Sequence, residues 1–481
     1  MQGSISMWIA GTLVAGALAA SSASARGQTA VFPGSDPAYA IQAPAHQLVS
    51  SSSYASLESR LSALEAKLAD EQGGQGELDW HDTSDDRLTH TWGGRIFGDY
   101  VLFSHQDAAS VTAFGDQEDY FQFRSIRIFA QGEGYGVFDY KLEFDFEPEF
   151  VGRVVEFDGV AIKDLYVGIH EVPLLGYVRF GNFKEPFSLE HLTNANFITF
   201  LERALPSIFV PGRYVGVCAY NHTADEQFTI AYGAFFNDVD EILKERKSDR
   251  QGIDIPIRIT WNPIYQAGGR GVLHFGFGYV WADDRDDSVR FRATPEVHGG
   301  DHFVDTDLLP ISDYHRLGGE VAVVYGPWSI QSELFYVDAD GVGGFQDQTY
   351  YGAYVFGSWF LTGEHRVYKR TTAAFGRVRP NTNFWIVRTV DRGVDCGWGA
   401  WELAVRWSYL DLTIDGIPLG QRDDNNGMIN DLTVGVNWYW NPHMRVMFNY
   451  IHSWGSVVGT IGLVDDVADT DILAMRMQVD F

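Results

Sequence analysis

From about residue 91 to the end of the chain, apolar and polar residues alternate with a period of two. Phe138, Tyr140, Leu142, Phe144 and Phe146 alternate with Asp139, Lys141, Glu143 and Asp145. Trp401, Leu403, Val405, Trp407 and Tyr409 alternate with Glu402, Ala404, Arg406 and Ser408. Leu432, Val434, Val436, Trp438 and Trp440 share one face, and Met444, Val446, Phe448 and Tyr450 resume the pattern after Asn441-Pro442. The last stretch does the same, with Leu473, Met475, Met477, Val479 and Phe481 set against Ala474, Arg476, Gln478 and Asp480. Successive strand side chains point to opposite faces, so each stretch is a strand with one apolar and one polar side.

Two architectures use such strands. A soluble sandwich buries the apolar face, whereas a transmembrane barrel turns it toward lipid and the polar face toward a watery interior. Three features favour the barrel. The stretches run about nine or ten residues, enough for a tilted strand to cross a bilayer. Aromatics gather at their ends, as at Trp281, Trp438-Tyr439-Trp440 and Tyr450, where interfacial girdles lie. The connections are uneven, tight at Asn441-Pro442 but long and acidic at 282–290 and 421–430. The expectation is an all-β fold, a transmembrane antiparallel β-barrel over 91–481. At about 24 residues per strand and connection it has about 16 strands, with 14 or 18 fitting almost as well. A barrel of that size is wide enough for an aqueous channel.

The residues before the barrel read differently. Residues 7–20, MWIAGTLVAGALAA, followed by Ala23-Ser24-Ala25, fit an export signal over 1–25, although MQGSIS lacks the usual Lys or Arg. Residues 26–56 read as a flexible linker. Leu57, Leu61, Leu64 and Leu68 form a heptad seam, which predicts a short coiled-coil helix over 57–72 that needs an oligomer to hold it. A second linker, opened by Gly73, Gly74 and Gly76, covers 73–90.

Composition narrows the function. Aromatics make up 15% of 481 residues and Gly 51 of them, too many large apolar side chains for a disordered chain. The mean hydropathy of −0.14 and the lack of a long uncharged apolar run after the N-terminus disfavour a helical membrane protein. A net charge of −29 disfavours nucleic acid as a partner. Two Cys, Cys218 and Cys396, make no disulfide framework. No nucleophile elbow, zinc-protease motif, P-loop or paired-Cys motif is present, so neither an enzyme nor a cofactor is expected. His298, His302 and His315 fall in one acidic region without metal-ligand spacing, and no metal is expected there either.

Three segments carry a family resemblance. They are FGNFKEPFSLEHLTNANFITFLERALPSIFVPGRYVG at 180–216, FGRVR at 375–379 with GAWELAVRWSYLDL at 399–412, and the hairpin at 432–453 containing GVNWYWNP and MFNYIHS. Together they make the chain similar to the phosphate-selective porin O/P family. The resemblance implies an outer-membrane β-barrel, usually a homotrimer in contact with outer-membrane lipid. It also implies passive diffusion of small anions such as phosphate or polyphosphate.

Within 184–215, Pro186, Pro206 and Pro211 interrupt any ladder, so the segment is expected to fold inward and narrow a pore. Lys184, Arg203 and Arg213 are its candidate anion-binding cations, against the alternative that they merely balance Glu185, Glu190 and Glu202. The family's early-strand arginine run appears here as Phe123-Arg124-Ser125-Ile126-Arg127. Arg124 and Arg127 have opposite parity, so both reach the interior only if the strand is bulged. Arg406 lies on a polar face, and Arg377, Arg379 and Arg388 are further candidates. The net charge keeps a general or cation-preferring porin open as the alternative, because an acidic entrance repels anions. A non-conducting structural barrel is a third reading. Acidic loops such as 283–287 are expected to be solvated, or else to hold Ca²⁺.

Overall fold

The computed structural model describes residues 88–481 apart from 147–148, 152–153, 157–159, 238–251, 389–392, 415–425 and 459–466. The signal-peptide and coiled-coil expectations and the first linker lie outside the described residues.

The period-two pattern becomes a closed antiparallel barrel of sixteen strands. The first four are β1 (Thr91–Gln106), β2 (Tyr120–Gly134), β3 (Phe138–Asp145) and β4 (Ala161–Val172). Then come β5 (Gly176–Lys184), β6 (Arg213–His222), β7 (Phe228–Phe236) and β8 (Ile253–Gln266). The third group is β9 (Gly271–Asp283), β10 (Ile311–Tyr325), β11 (Trp328–Gly341) and β12 (Gln348–Phe360). The last is β13 (Ala400–Asp411), β14 (Asn426–Asn441), β15 (Met444–Val458) and β16 (Val467–Asp480). Each strand pairs with the next, and β16 closes on β1 from Arg95↔Asp480 to Gln106↔Thr470.

Burial decides between sandwich and membrane barrel. On β13, Leu403, Val405 and Trp407 are exposed while Glu402, Arg406 and Ser408 are fully buried. On β16, Leu473, Met475 and Met477 are exposed and Arg476, Gln478 and Asp480 buried. The apolar face points out on strand after strand, an arrangement that only lipid stabilises. Trp328 stacks on Trp359 (4.7 Å) and Trp401 on Trp438 (5.0 Å) near one rim, where interfacial side chains belong.

That rim carries short turns such as 135–137, 173–175, 326–327 and 442–443, and the opposite rim carries longer connections. Two departures from the expected loop pattern stand out. The connection 284–310, which carries on from the acidic stretch 283–287 expected to be solvated, sends Phe291, Val297 and Phe303 into the buried interior. The connection 361–399, on the rim of short turns, is long and also buries Tyr368, Ala373 and Phe375 against Leu189. FGRVR at 375–379 therefore belongs to this connection and not to a barrel strand. The interior is packed because apolar side chains on these connections have no lipid to reach.

The segment 185–212 runs across the barrel interior. It contains a short helix, Leu189–Leu192, whose N-cap Ser188 accepts from His191 N and whose first N–H groups, of Leu189 and Glu190, bond Glu333 of β11 at 3.0 and 2.8 Å. Phe187 lies over Gly278 of β9 and Gly318 of β10, where a Cβ would come within 2.7 and 2.9 Å of its ring. Glycine at these paired positions makes the seat for that ring.

Candidate functional site

Strand parity sets which side chains enter the barrel, and the inward segments decide which of them stay open. On the β13–β16 side the 185–212 segment is tied to the wall. Arg445 donates to Ile198 O (2.9 Å), Asn437 to Thr199 O (2.7 Å) and Gln478 to Asn196 O (3.0 Å). Phe200 and Phe209 fill the remaining space against Phe356 and Phe291. On the other side, against β2–β7, a cavity of about 650 Å³ remains.

This cavity is basic although the chain is acidic. Eleven Lys and Arg side chains line it against three carboxylates, Glu143, Asp164 and Glu202. Each carboxylate already holds two cations. Glu143 pairs with Arg127 (2.9 Å) and Lys141 (2.5 Å), and Asp164 with Lys141 (2.6 Å) and Arg213 (2.7 Å). Glu202 pairs with Arg124 (3.0 Å) and Arg476 (2.7 Å). Burial works against the Glu202 charge, but these two guanidiniums outweigh it and hold the carboxyl well below the usual range. Five of the eleven cations, Arg95, Arg179, Lys184, Arg203 and Lys369, have no ion pair among the described residues.

Lys184, at the end of β5, donates to His191 O. Arg203 donates to the carbonyls of Glu190 (3.3 Å), His191 (3.4 Å) and Thr193 (3.3 Å). These neutral acceptors orient the two cations without cancelling their charge. Burial, then the charges of Lys184, Arg203 and Arg213, pushes the His191 imidazole far below its ordinary value. Arg203 is itself lowered, chiefly by burial.

Of the six residues expected at a constriction, five line the cavity: Lys184, Arg203, Arg213, Arg124 and Arg127. The parity conflict between Arg124 and Arg127 is resolved by a β-bulge. The β1–β2 register jumps from Phe97↔Ser125 to Gly98↔Phe123, so the ladder skips Arg124, which turns inward. Arg406 does not line the cavity. It is buried on the far side, bonded to Glu190 of one inward segment (3.3 Å) and to Glu296 of the other, and it serves as their common anchor. Arg377 reaches Pro442 O and Asp480, and neither it nor Arg379 or Arg388 borders the cavity. Among the described residues, no metal-type grouping joins His298, His302 and His315.

Sequence reasoning did not single out Arg95, Arg179 or Lys369. Parity marks the first two, since Arg95 is in phase with inward Phe97 and Asp99, and Arg179 is out of phase with outward Phe180. Arg179 lies over the faces of Tyr166 (4.0 Å), Tyr177 (5.3 Å) and Tyr220 (5.4 Å). Lys369 arrives from the 361–399 connection, whose inward course no local pattern announces.

Residues 93–481 match the family described as "Phosphate-selective porin O and P". The chain belongs to this porin family. Being a porin O/P member, it is an outer-membrane channel, and the rim of short turns is the periplasmic one. It is 25% identical over 399 residues to Porin O of Pseudomonas aeruginosa, covering 77% of this chain and 84% of that one. An uncharacterized protein of Caulobacter vibrioides is 28% identical over 344 residues, covering 68% of this chain and 62% of that protein's length. Solved structures with similar folds include an anion-selective porin from Comamonas acidovorans (TM-score 0.48, 12% identity, 82% of this chain and all of that one). The outer membrane channel DcaP of Acinetobacter baumannii is another (TM-score 0.46, 11% identity, 83% and 99%).

Proposed function

We propose that this porin is a passive channel selecting small anions, with phosphate the first choice, at a constriction bounded by the 185–212 segment and the β2–β7 wall. The observation that carries the reading is the excess of cations in the cavity, five of them unpaired by any carboxylate among the described residues. An anion crossing there loses water and gains charge-assisted hydrogen bonds from Lys184, Arg203 and Arg95, at the cost of no carboxylate already in place. Acidic loops on the outer rim are screened within about 8 Å at physiological salt, so they need not set the selectivity inside. The family name supports phosphate, and family habit supports a homotrimer.

The net charge of −29 favours a second reading, a general or cation-preferring porin whose acidic vestibule dominates. The zero-current potential of purified protein in a planar bilayer under a KCl gradient separates the two. The potential is expected on the chloride side, with the current blocked by added phosphate, and Lys184→Glu/Arg203→Glu is expected to reverse its sign. An unchanged preference in the double variant would remove these residues from the filter.

A further inference from the structure

On the outward face, just beyond the apolar belt at the outer rim, His452 of β15 faces Asp471 of β16 across the ladder, and Trp454 faces Asp469. His452 Nδ1 lies 2.9 Å from Asp471 Oδ1 and 3.3 Å from Asp469 Oδ1. One ligand atom from each of the three residues lies within 4.8 Å of the others. Below them the outward residues become apolar, with Tyr450 bonded to Asp471 (2.7 Å) and Leu473 exposed next in line. The cluster therefore stands at the level of the lipid headgroups, on paired strands.

A second observation concerns one atom. Although Asp469 is partly exposed, its Oδ1 is closed off from solvent and accepts no hydrogen bond. It stands 3.3 Å from an imidazole nitrogen and beside a second carboxylate, a ligand atom that no hydrogen bond already occupies. If His452 were only a proton donor, it could satisfy Asp471 but not both oxygens along one N–H direction.

The position has a structural meaning. Asp471 pairs with His105 of β1, so the cluster sits against the seam where the barrel closes. Asp469 is tied across the same seam, its N–H to Asp107 Oδ1 (3.2 Å) and its carbonyl to Asp107 N (3.1 Å).

We propose that His452, Asp469 and Asp471 bind a divalent transition-metal ion of the zinc type, which staples β15 to β16 next to the closure seam. One imidazole and two carboxylates leave room for water in a fourth position, as open zinc sites do. The imidazole selects zinc-like ions over Ca²⁺, which prefers oxygen-only shells.

The test uses untagged, refolded or detergent-purified full-length protein. A related grouping, Asp313, His315 and Asp340, is first silenced by Asp313→Asn and His315→Gln. Zn²⁺ titration by calorimetry, with bound zinc counted after dialysis, should give one ion per chain. Zn²⁺ should also raise the temperature at which the barrel loses its heat-modifiable gel shift. Asp469→Asn or His452→Gln should weaken binding at least about tenfold and abolish the zinc-dependent rise, while the unboiled band still runs as a folded barrel. A folded parent that retains no zinc, or equal retention by Asp469→Asn and His452→Gln, would overturn the site. Displacement by equimolar Ca²⁺ would overturn the choice of ion.

Discussion

A lysine or arginine in this barrel is defined by its acceptor more than by its charge. Lys184 and Arg203 bond backbone carbonyls and no carboxylate among the described residues, whereas Arg406 is paired with Glu190 and Glu296. Strand parity placed Arg406 inside and the proline-interrupted segment placed Lys184 and Arg203 there, but neither pattern can tell an open cation from one sealed by a loop that arrives from elsewhere. His191 yields a pH prediction at the same scale. Its folded-state pKa is depressed by burial and by the neighbouring cations, while the unfolded imidazole titrates near about 6.5. The unfolded chain therefore takes up a proton that the folded chain refuses, so this residue costs stability as pH falls below about 6.5 and costs nothing above it. His191→Gln should flatten the acid side of the heat-modifiability curve between pH 7 and 5 and leave ion preference at each pH as in the parent. A wild-type ion preference that shifts with acid, but no longer does in His191→Gln, would mean that the imidazole charges inside the cavity.

Among elements, the strands and the inward segments were unequally legible. Each strand announces itself by its own alternation, a local property fixed by the pleat. The prolines at 186, 206 and 211 marked 184–215 as no strand, which holds for 185–212, while Lys184 pairs with Arg213 and Val215 with Asn182 in the ladder. The inward course of 284–310 and 361–399 rests on partners far away in sequence, such as Glu296 with Arg406 and Tyr368 with His274 (2.7 Å), and local pattern cannot supply these. Removing the common anchor tests how the segments are held. Arg406→Ala strands two buried carboxylates, a loss of about 3–5 kcal/mol for a broken buried pair. It should lower the temperature of the gel shift and give larger, noisier single-channel currents while the sign of the reversal potential persists. Lys184→Glu/Arg203→Glu should do the opposite, changing the sign with little change in noise. Traces from Arg406→Ala indistinguishable from wild type would mean that the phenylalanine packing of Phe187, Phe200 and Phe209 holds the segments alone.

For the whole molecule, the net charge and the basic cavity have opposite signs. The −29 belongs to the chain, yet the cavity carries a local excess of cations, because inward positions gather Lys and Arg from many strands around three shared carboxylates. Global composition misleads where a barrel sorts residues by face. The same sorting makes the membrane face testable against the interior on a single strand. Val405 is half exposed and points to lipid, while Ser408 is fully buried inside. An Arg at mid-membrane on the lipid face costs about 2–4 kcal/mol, against roughly zero near the interfaces. Val405→Arg should therefore cut the yield of heat-modifiable barrel in lipid vesicles. Val434→Arg, on the neighbouring strand and also outward, should do the same, and the two penalties should shrink together in detergent micelles, whose apolar layer deforms around a charge. Substitutions of like size at the periplasmic girdle, such as Trp328→Arg, should cost much less. If Val405→Arg folded in vesicles as well as wild type does, this stretch of β13 would face something other than lipid, and the outward apolar face there would need a protein partner to cover it.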